Sequence, residues 1–385
     1  MRPLNGVRVI EFCEIAAGPY CGMLLADMGA DVIKVERAAG DAMRTWPPVN
    51  EGYSENFASI NRGKRSVVLD LKSPEGVENA RNLILSADVV IENFRPGVME
   101  RNGLDYKRMS AEKPAIIYCS ISAFGQSGPR SREGGFDLTM QAMAGVMSVT
   151  GEPGGAPVKC GVPLCDFVSG QYGAMGVVGA LFQRNTTGEG QHVDVSMLGA
   201  TLGVAALQTS EYFGTVKAPK KLGSAHPRNA PYQAFKAQDD YFGMAAGNNS
   251  LWHHVCDVVG RADLKDVENY STPTLRAANQ VELKDLLEEI FATQPVSHWL
   301  DAFAEKGVPC SPINSFADAL KDKQVEHMGW VQPITLPNGI ETKTFGPVLR
   351  INDECQTILS GPPALGEHTE DLLAIQHDAF TQARK

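Results

Sequence analysis

The chain has 385 residues, 43% of them hydrophobic, which is enough to bury a sizeable core and to form two domains or one large domain with an insertion. Its 35 basic against 45 acidic residues leave a net charge of -10, which argues against nucleic acid or an anionic membrane as a general partner. Eight cysteines without paired short spacing argue against a disulfide framework or a structural zinc site, and read as small buried hydrophobes of a reducing compartment.

From Val7 to Ile121 strand-like runs alternate with helical patterns: VRVIEF, a helix over 20–28, DVIKVE, SVVLDL, a helix over 74–86, DVVIENF and AIIYCSI. This βαβ grammar, with its runs of Val and Ile, predicts an open, Rossmann-like parallel sheet covered on both faces. Glu11 and Glu14 interrupt the first apolar run, which argues against a signal peptide, and later apolar stretches fall short of the roughly 18 to 20 residues of a bilayer span. A cytoplasmic protein is expected. Gly-rich loops between Gly125 and Gly161 surround one predicted helix, LTMQAMAGVMSV, and a second helix, FVSGQYGAMGVVGALF, starts at Asp166. The run QHVDVSMLGATLGVAALQ pairs a strand with a helix, and the basic, turn-rich segment 217–233 marks a boundary. Beyond it a hairpin turning at Asp239 and Asp240 and helices near 251–259, 281–292 and 296–306 predict a smaller α+β unit. A hairpin at Pro337, Asn338 and Gly339 and a last helix in LGEHTEDLLAIQ complete the chain. The expected organisation is a large α/β domain over 1–215, a small α+β domain over 225–325, and a segment over 326–385 returning to the large one.

Asp166 carries two open readings. As an N-cap its oxygens would accept the free amides of Val168 or Ser169. As a nucleophile it would be ionised at neutral pH, with a reference pKa of about 4, and gain reactivity on losing water. The helix N-terminus and Gly170, Gly173 and Gly176 would then offer amides to an oxyanion.

Other chemistries lack their signatures. The first turn, CEIAAGPYCG, has only Gly18 and Gly22 and not the spacing that brings backbone onto a pyrophosphate. The histidines have no HExxH or HxxxH spacing, so no metal is expected, and no G-x-S-x-G elbow surrounds Ser169, Ser196 or Ser224. What remains is a set of residues at strand ends, namely Arg37, Lys72, Asn93 with Phe94, and Arg101. Ligands bind at the carboxyl ends of strands in open α/β sheets, so these residues could line one crevice.

The motifs LNGVRVIEF, AAGPYCGMLLADMGADVIKVER, NRGKRSVVLDLKSPEG, ADVVIENFRPGVMERNGL, SAFGQSGP, GVPLCDFVSGQYGA, GxGQHVDVSM and LGEHT, in this order, resemble the class III CoA-transferase family over nearly the whole chain. The resemblance implies that Asp166 is the catalytic carboxylate, forming an aspartyl-CoA thioester, with Ile15 near the thioester. It implies that Arg37 and Lys72, with Leu69 beside them, contact the adenosine and phosphate end of CoA, and that Asn93, Phe94 and Arg101 hold the pantetheine and pyrophosphate. It also implies an interlocked homodimer, and CoA as a carried group with no permanently bound cofactor. The substrates expected are an acyl-CoA of the succinyl-CoA type and a small, dicarboxylic acceptor acid. Arg44 and Arg228, the latter beside His226, are candidates for the acceptor's second carboxylate. The rival with the same fold is an α-methylacyl-CoA racemase, whose relatives carry a His before the Asp that follows the paired-glycine loop; here Phe136 precedes Asp137. Ala16 and Phe124 replace a Gln and a Tyr of formyl-CoA:oxalate enzymes. A non-catalytic acyl-CoA-binding protein is the third reading.

Overall fold

The computed structural model describes residues 2–374. These fall into two compact units: one takes in the chain up to Val146, Lys159–Lys217 and the residues from Lys323 onward, the other Met147–Val158 and Ala218–Asp322.

The first unit is organised by six parallel strands: β1 (Arg8–Phe12), β2 (Asp31–Glu36), β3 (Lys64–Val68), β4 (Val89–Glu92), β5 (Ile117–Ser122) and β6 (His192–Ser196). Their order is β3-β2-β1-β4-β5-β6, with Val9 opposite Val32 on one side and Val89 on the other. Successive strand residues point to opposite faces. Val9, Val89 and Ile91 therefore enter one core with Leu25 and Val177, while Ile10, Val90 and Phe12 enter the other with Leu83 and Ile84. Helix α1 (Ala17–Asp27) covers the first face and α2 (Pro74–Ser86), capped by the Ser73 hydroxyl, the second. Both faces are buried, which explains why the strands read as continuous apolar runs rather than alternating ones.

Three boundaries differ from the sequence pattern. Helix α1 starts three residues early because Pro19 fits its first turn. Strand β3 begins at Lys64, two residues before the apolar run, because the Lys64 and Arg65 backbones pair with Val32 and Ile33. The single helix expected over 138–149 is interrupted: α3 (Asp137–Met143) ends, Gly145 takes φ +85°, and a short turn follows over Val146–Val149. Helix α4 (Leu164–Thr187) lies against α1, and α5 (Met197–Val204) and α6 (Ala206–Thr215) follow β6. Edge strand β3 is closed by the tail, where Ser66 donates its amide to His368 Nδ1 at 3.3 Å and Val68 donates to Thr369 Oγ1 at 3.0 Å. The predicted last helix begins at 369, and its final two residues lie outside the described ones.

The second unit builds an antiparallel three-stranded sheet from β7 (Tyr232–Lys236), β8 (Tyr241–Ala245) and β9 (Cys310–Pro312). Phe235, Phe242, Phe291, Trp299 and Phe303 fill its core. Among the described residues, no helix is long and apolar enough to cross a membrane.

A polar layer lies inside the first unit. Lys34 and Lys64 point from β2 and β3 onto the two oxygens of Glu11 at 3.2 and 2.8 Å, all three side chains fully buried. Lys34 also meets Asp41 at 2.9 Å, and Lys64 donates to Pro19 O and Asn61 Oδ1 at 2.8 and 3.0 Å. Burial works against the Lys34 charge, but Glu11, Asp41 and Glu36 more than offset it and hold its pKa above the ordinary lysine value. Removing one member leaves the others charged and dry. Glu11→Gln should therefore lower stability by about 3–5 kcal/mol in a urea titration, and adding Lys64→Met should recover part of that loss. A loss under about 1 kcal/mol would mean that water reaches the network.

Candidate active site

The strand order reverses between β1 and β4, so the loops leaving these two strands turn apart and open a crevice at the carboxyl edge of the sheet. Its volume is about 320 Å³, and Ile15, Asn93, Phe94, Arg95, Phe136 and Asp166 are among the residues that line it.

The loop after β1 is held in a strained form. Ile15 has φ +68°, a left-handed conformation that a β-branched residue rarely adopts. Its amide donates to both Asp41 oxygens at 3.2 Å, and Asp41 is fixed in turn by Lys34. The preceding Glu14 is gripped from β4: its amide donates to Asn93 Oδ1 at 3.0 Å, and Asn93 Nδ2 donates to Glu14 O at 2.9 Å. Lys34 also donates to Cys13 O at 2.6 Å. Three consecutive residues are thus tied down before α1 begins at Ala17, and the uncapped N-terminus of α1 faces the crevice.

Asp166 lies in the first turn of α4, whose N-cap position is Pro163. Asp166 is therefore not the cap: among the described residues no hydrogen bond holds its carboxylate, and the Val168 and Ser169 amides expected to bind it lie inside the helix. Burial, and then the nearby charge of Asp137, push its pKa up to about 7. The carboxyl thus keeps its proton to a much higher pH than an ordinary aspartate. The oxyanion amides expected from α4 are also taken, with Cys165 N donating to Asp137 Oδ1 at 2.8 Å and Phe167 N to Pro163 O at 3.1 Å. Gly170 and Gly176 serve packing instead, since a Cβ on either would come 2.7 Å from Ala17 O or 2.6 Å from Val193. The glycine spacing marks a close helix contact.

The other residues singled out in the sequence divide three ways. Ile15, Asn93 and Phe94 share the crevice with Asp166, although the Asn93 amide is occupied by the Glu14 backbone. Arg37, Lys72 and Arg101 lie exposed on segments after β2, β3 and β4, and Leu69 is buried just past β3. Arg37 touches Glu14 at 3.4 Å and Gly40 O at 3.1 Å. Arg44 is engaged on all sides: two bonds of 2.8 and 2.6 Å go to Glu36 and one of 3.1 Å to Pro363 O, and its guanidinium sits 3.9 Å over Phe57. It has no fork left for a second carboxylate. His226 and Arg228 belong to the second unit, where the His226 ring stacks on Tyr232 and its Nδ1 accepts the Arg228 and Asn229 amides at 3.2 and 3.1 Å.

Sequence reasoning missed Arg95, which lines the crevice, and Glu92, buried at the end of β4 with its pKa pushed up to about 7 by burial. Both stood in the motif ADVVIENFRPG, but nothing in the string tells which of its polar residues turn inward. Phe136 lines the crevice where a racemase would need an imidazole, and offers only carbon.

The family model described as CoA-transferase family III matches residues 4–369. The chain is 38% identical to the succinyl-CoA:glutarate CoA-transferase of Mus musculus over 97% of its own length and 86% of that protein's. It is also 38% identical to the succinate–glutarate CoA-transferase of Agrobacterium fabrum, over 97% and 95%. A crystal structure of a CAIB/BAIF family protein from Brucella suis superposes with a TM-score of 0.86 at 39% identity, covering 97% of this chain and 99% of that one.

The raised Asp166 pKa has a measurable stability consequence. Between about pH 4, its ordinary value, and about 7, the native protein holds a proton that the unfolded chain has lost, so the group destabilises the fold increasingly as pH rises through that window. Asp166→Asn should accordingly melt higher than the parent at pH 8, with the gain shrinking toward pH 4. An equal gain at both ends of the range, or none at pH 8, would show that the carboxylate is not held in an unfavourable charged form.

Proposed function

The chain belongs to CoA-transferase family III and is a CoA-transferase; from that premise we propose that it moves CoA from succinyl-CoA to a small dicarboxylic acid of the glutarate class, through a covalent thioester on Asp166. The observation that carries this reading is a single one. A largely buried carboxylate with no hydrogen-bond partner among the described residues opens onto the crevice at the point where the strand order reverses. A carboxylate kept for structure would be capped or paired.

The reaction needs no net proton. Ionised Asp166 attacks the thioester carbonyl of succinyl-CoA and expels CoA thiolate, leaving a mixed anhydride. The thiolate then attacks the Asp166 carbonyl carbon, releases succinate and forms the aspartyl-CoA thioester. The acceptor carboxylate attacks that carbonyl, expels thiolate again and forms a second anhydride. Thiolate attack on the acceptor carbonyl releases the new acyl-CoA and regenerates the Asp166 carboxylate. Each tetrahedral intermediate would put an oxyanion in the crevice, and the uncapped N-terminus of α1, which adjoins it, would offer amides to that charge. Ile15, Asn93 and Phe94 would lie along the pantetheine arm, with the exposed cations Arg37, Lys72 and Arg101 toward the phosphates of CoA. Removing their charge would weaken CoA binding without touching the covalent step. Exposed Met175, Phe182, Leu207 and Phe213 on α4 and α6 support a homodimer.

Incubation with succinyl-CoA and hydroxylamine, followed by peptide mass spectrometry, tests the reading. A hydroxamate on the Asp166 peptide, formed only with acyl-CoA and absent in Asp166→Asn, is expected. Turnover with succinyl-CoA and a series of straight dicarboxylic acids from oxalate upward should peak near glutarate, and Asp166→Asn should lose at least about 10³-fold in kcat. Normal turnover in that variant, or no hydroxamate with any acyl-CoA, would remove Asp166 from the mechanism.

A further inference from the structure

Helix α4 presents Asp166 to the crevice but has no cap of its own, since Pro163 at its N-cap position offers no acceptor side chain. The missing acceptor comes from elsewhere in the same unit. Asp137, the first residue of α3, accepts the Cys165 amide on Oδ1 at 2.8 Å, one residue before Asp166. Its other oxygen accepts from Gln141 Nε2 at 2.7 Å, and the fully buried Gln141 accepts the Cys160 amide on its own oxygen at 2.8 Å. Two side chains of α3 therefore fix both ends of the 160–165 loop that delivers Asp166.

We propose that Asp137 is a positioning residue for the Asp166 nucleophile, capping α4 from α3 and holding a second negative charge beside the reacting carboxylate. This rests on Asp166 being the nucleophile. Asp137 does not line the crevice, so it acts through Asp166 and not on substrate. The titratable and charged groups around Asp166 are Glu14 from the loop after β1, Arg95 from the loop after β4, Glu133 before α3, Asp137 on α3 and Cys165 beside it, with the Tyr20 ring of α1 tilted against Phe167 at 4.6 Å between centroids. Of the charged groups among them, Asp137 is the one hydrogen-bonded to α4 itself and, after burial, the one that raises the Asp166 pKa. Two roles thus meet in one carboxylate: its oxygen orients the helix start, and its charge keeps Asp166 more basic, and more nucleophilic when ionised, than an isolated aspartate.

Two substitutions separate the roles. Asp137→Asn keeps an oxygen for the Cys165 amide while removing the charge and the acceptor of the Gln141 amide; Asp137→Ala removes all three. Protonation of Asp166 can be followed without catalysis by labelling with a water-soluble carbodiimide, which reacts with the carboxylic acid form, and mapping the Asp166 peptide from pH 5 to 9. Labelling in the parent should fall with a midpoint near pH 7, and in Asp137→Asn the midpoint should move down by about half a unit or more. The rate of hydroxamate formation from succinyl-CoA should rise with pH through the same midpoints. Its plateau should fall less than about tenfold in Asp137→Asn and about 10²-fold in Asp137→Ala, with the KM for succinyl-CoA little changed in both. Unchanged labelling midpoints in both variants, with the fold confirmed by circular dichroism, would overturn the inference, as would equal plateaus in Asn and Ala. Absence of hydroxamate in the parent would instead sink the nucleophile reading, and the carbodiimide midpoints would still decide whether Asp137 governs the Asp166 charge.

Discussion

The contact on which the rest of this structure depends is the buried ammonium of Lys34, held between Glu11 at 3.2 Å and Asp41 at 2.9 Å. Taking these charges out of water is costly, and a buried ion pair is weak evidence for stability in itself. Its use here is geometric. Asp41 is the acceptor that keeps the Ile15 amide turned into a left-handed conformation, and without Lys34 it would be an unpaired carboxylate beneath the crevice floor. Asn93 grips the next residue back from the other side, so the loops leaving β1 and β4 are fastened to each other at the place where they must separate. Strain at Ile15 is sustained because hydrogen bonds from β2, β4 and the Asp41 turn over-determine it.

The same economy governs the approach of α4 to α1. A carboxylate on a helix can stand at a sheet edge only if the helix comes close to the sheet's first crossover, and side chains of ordinary size would hold it away. Gly170 lets the backbone of α4 come within contact of Ala17 O, and Gly176 admits Val193 of β6. The cost is helix propensity, since glycine in a helix interior is less favourable than alanine by about 1 kcal/mol. Packing repays it, with Val177, Ala180 and Leu181 of α4 buried among Val9, Leu25 and Ile117.

The sheet was legible because its grammar is local. Runs of Val and Ile bounded by turn residues identify β1, β2, β4 and β5 from a few residues each, and Ser73 with Pro74 marks the start of α2. The parallel, doubly covered architecture follows from those runs. What could not be read was the part that depends on residues far apart in the chain. Lys64 begins β3 because its backbone pairs with Val32 on a strand far back in the chain, and the Cys165 amide is satisfied from a position 28 residues earlier. Asp166 could be singled out by its place before a helix of small residues, but whether it capped that helix depended on Pro163 and Asp137, and no periodicity connects those three positions. Arg44 shows the converse error: an arginine in a loop resembles a ligand until its carboxylate partner, Glu36, is seen at the end of β2.

These features together describe how a carboxylate can be kept from solvent and made more basic than a free aspartate. In water an aspartate is a poor attacker because it is well solvated and weakly basic. Burial in the crevice removes solvent, and the adjoining Asp137 adds repulsion, both of which favour the protonated form. Each effect also makes the ionised form more eager to share its electrons with a carbonyl. The limit is set by the fraction that remains ionised, and a value pushed up to about 7 raises the basicity of the group well above that of a free side chain. An ion pair with a lysine would have kept the group charged and inert.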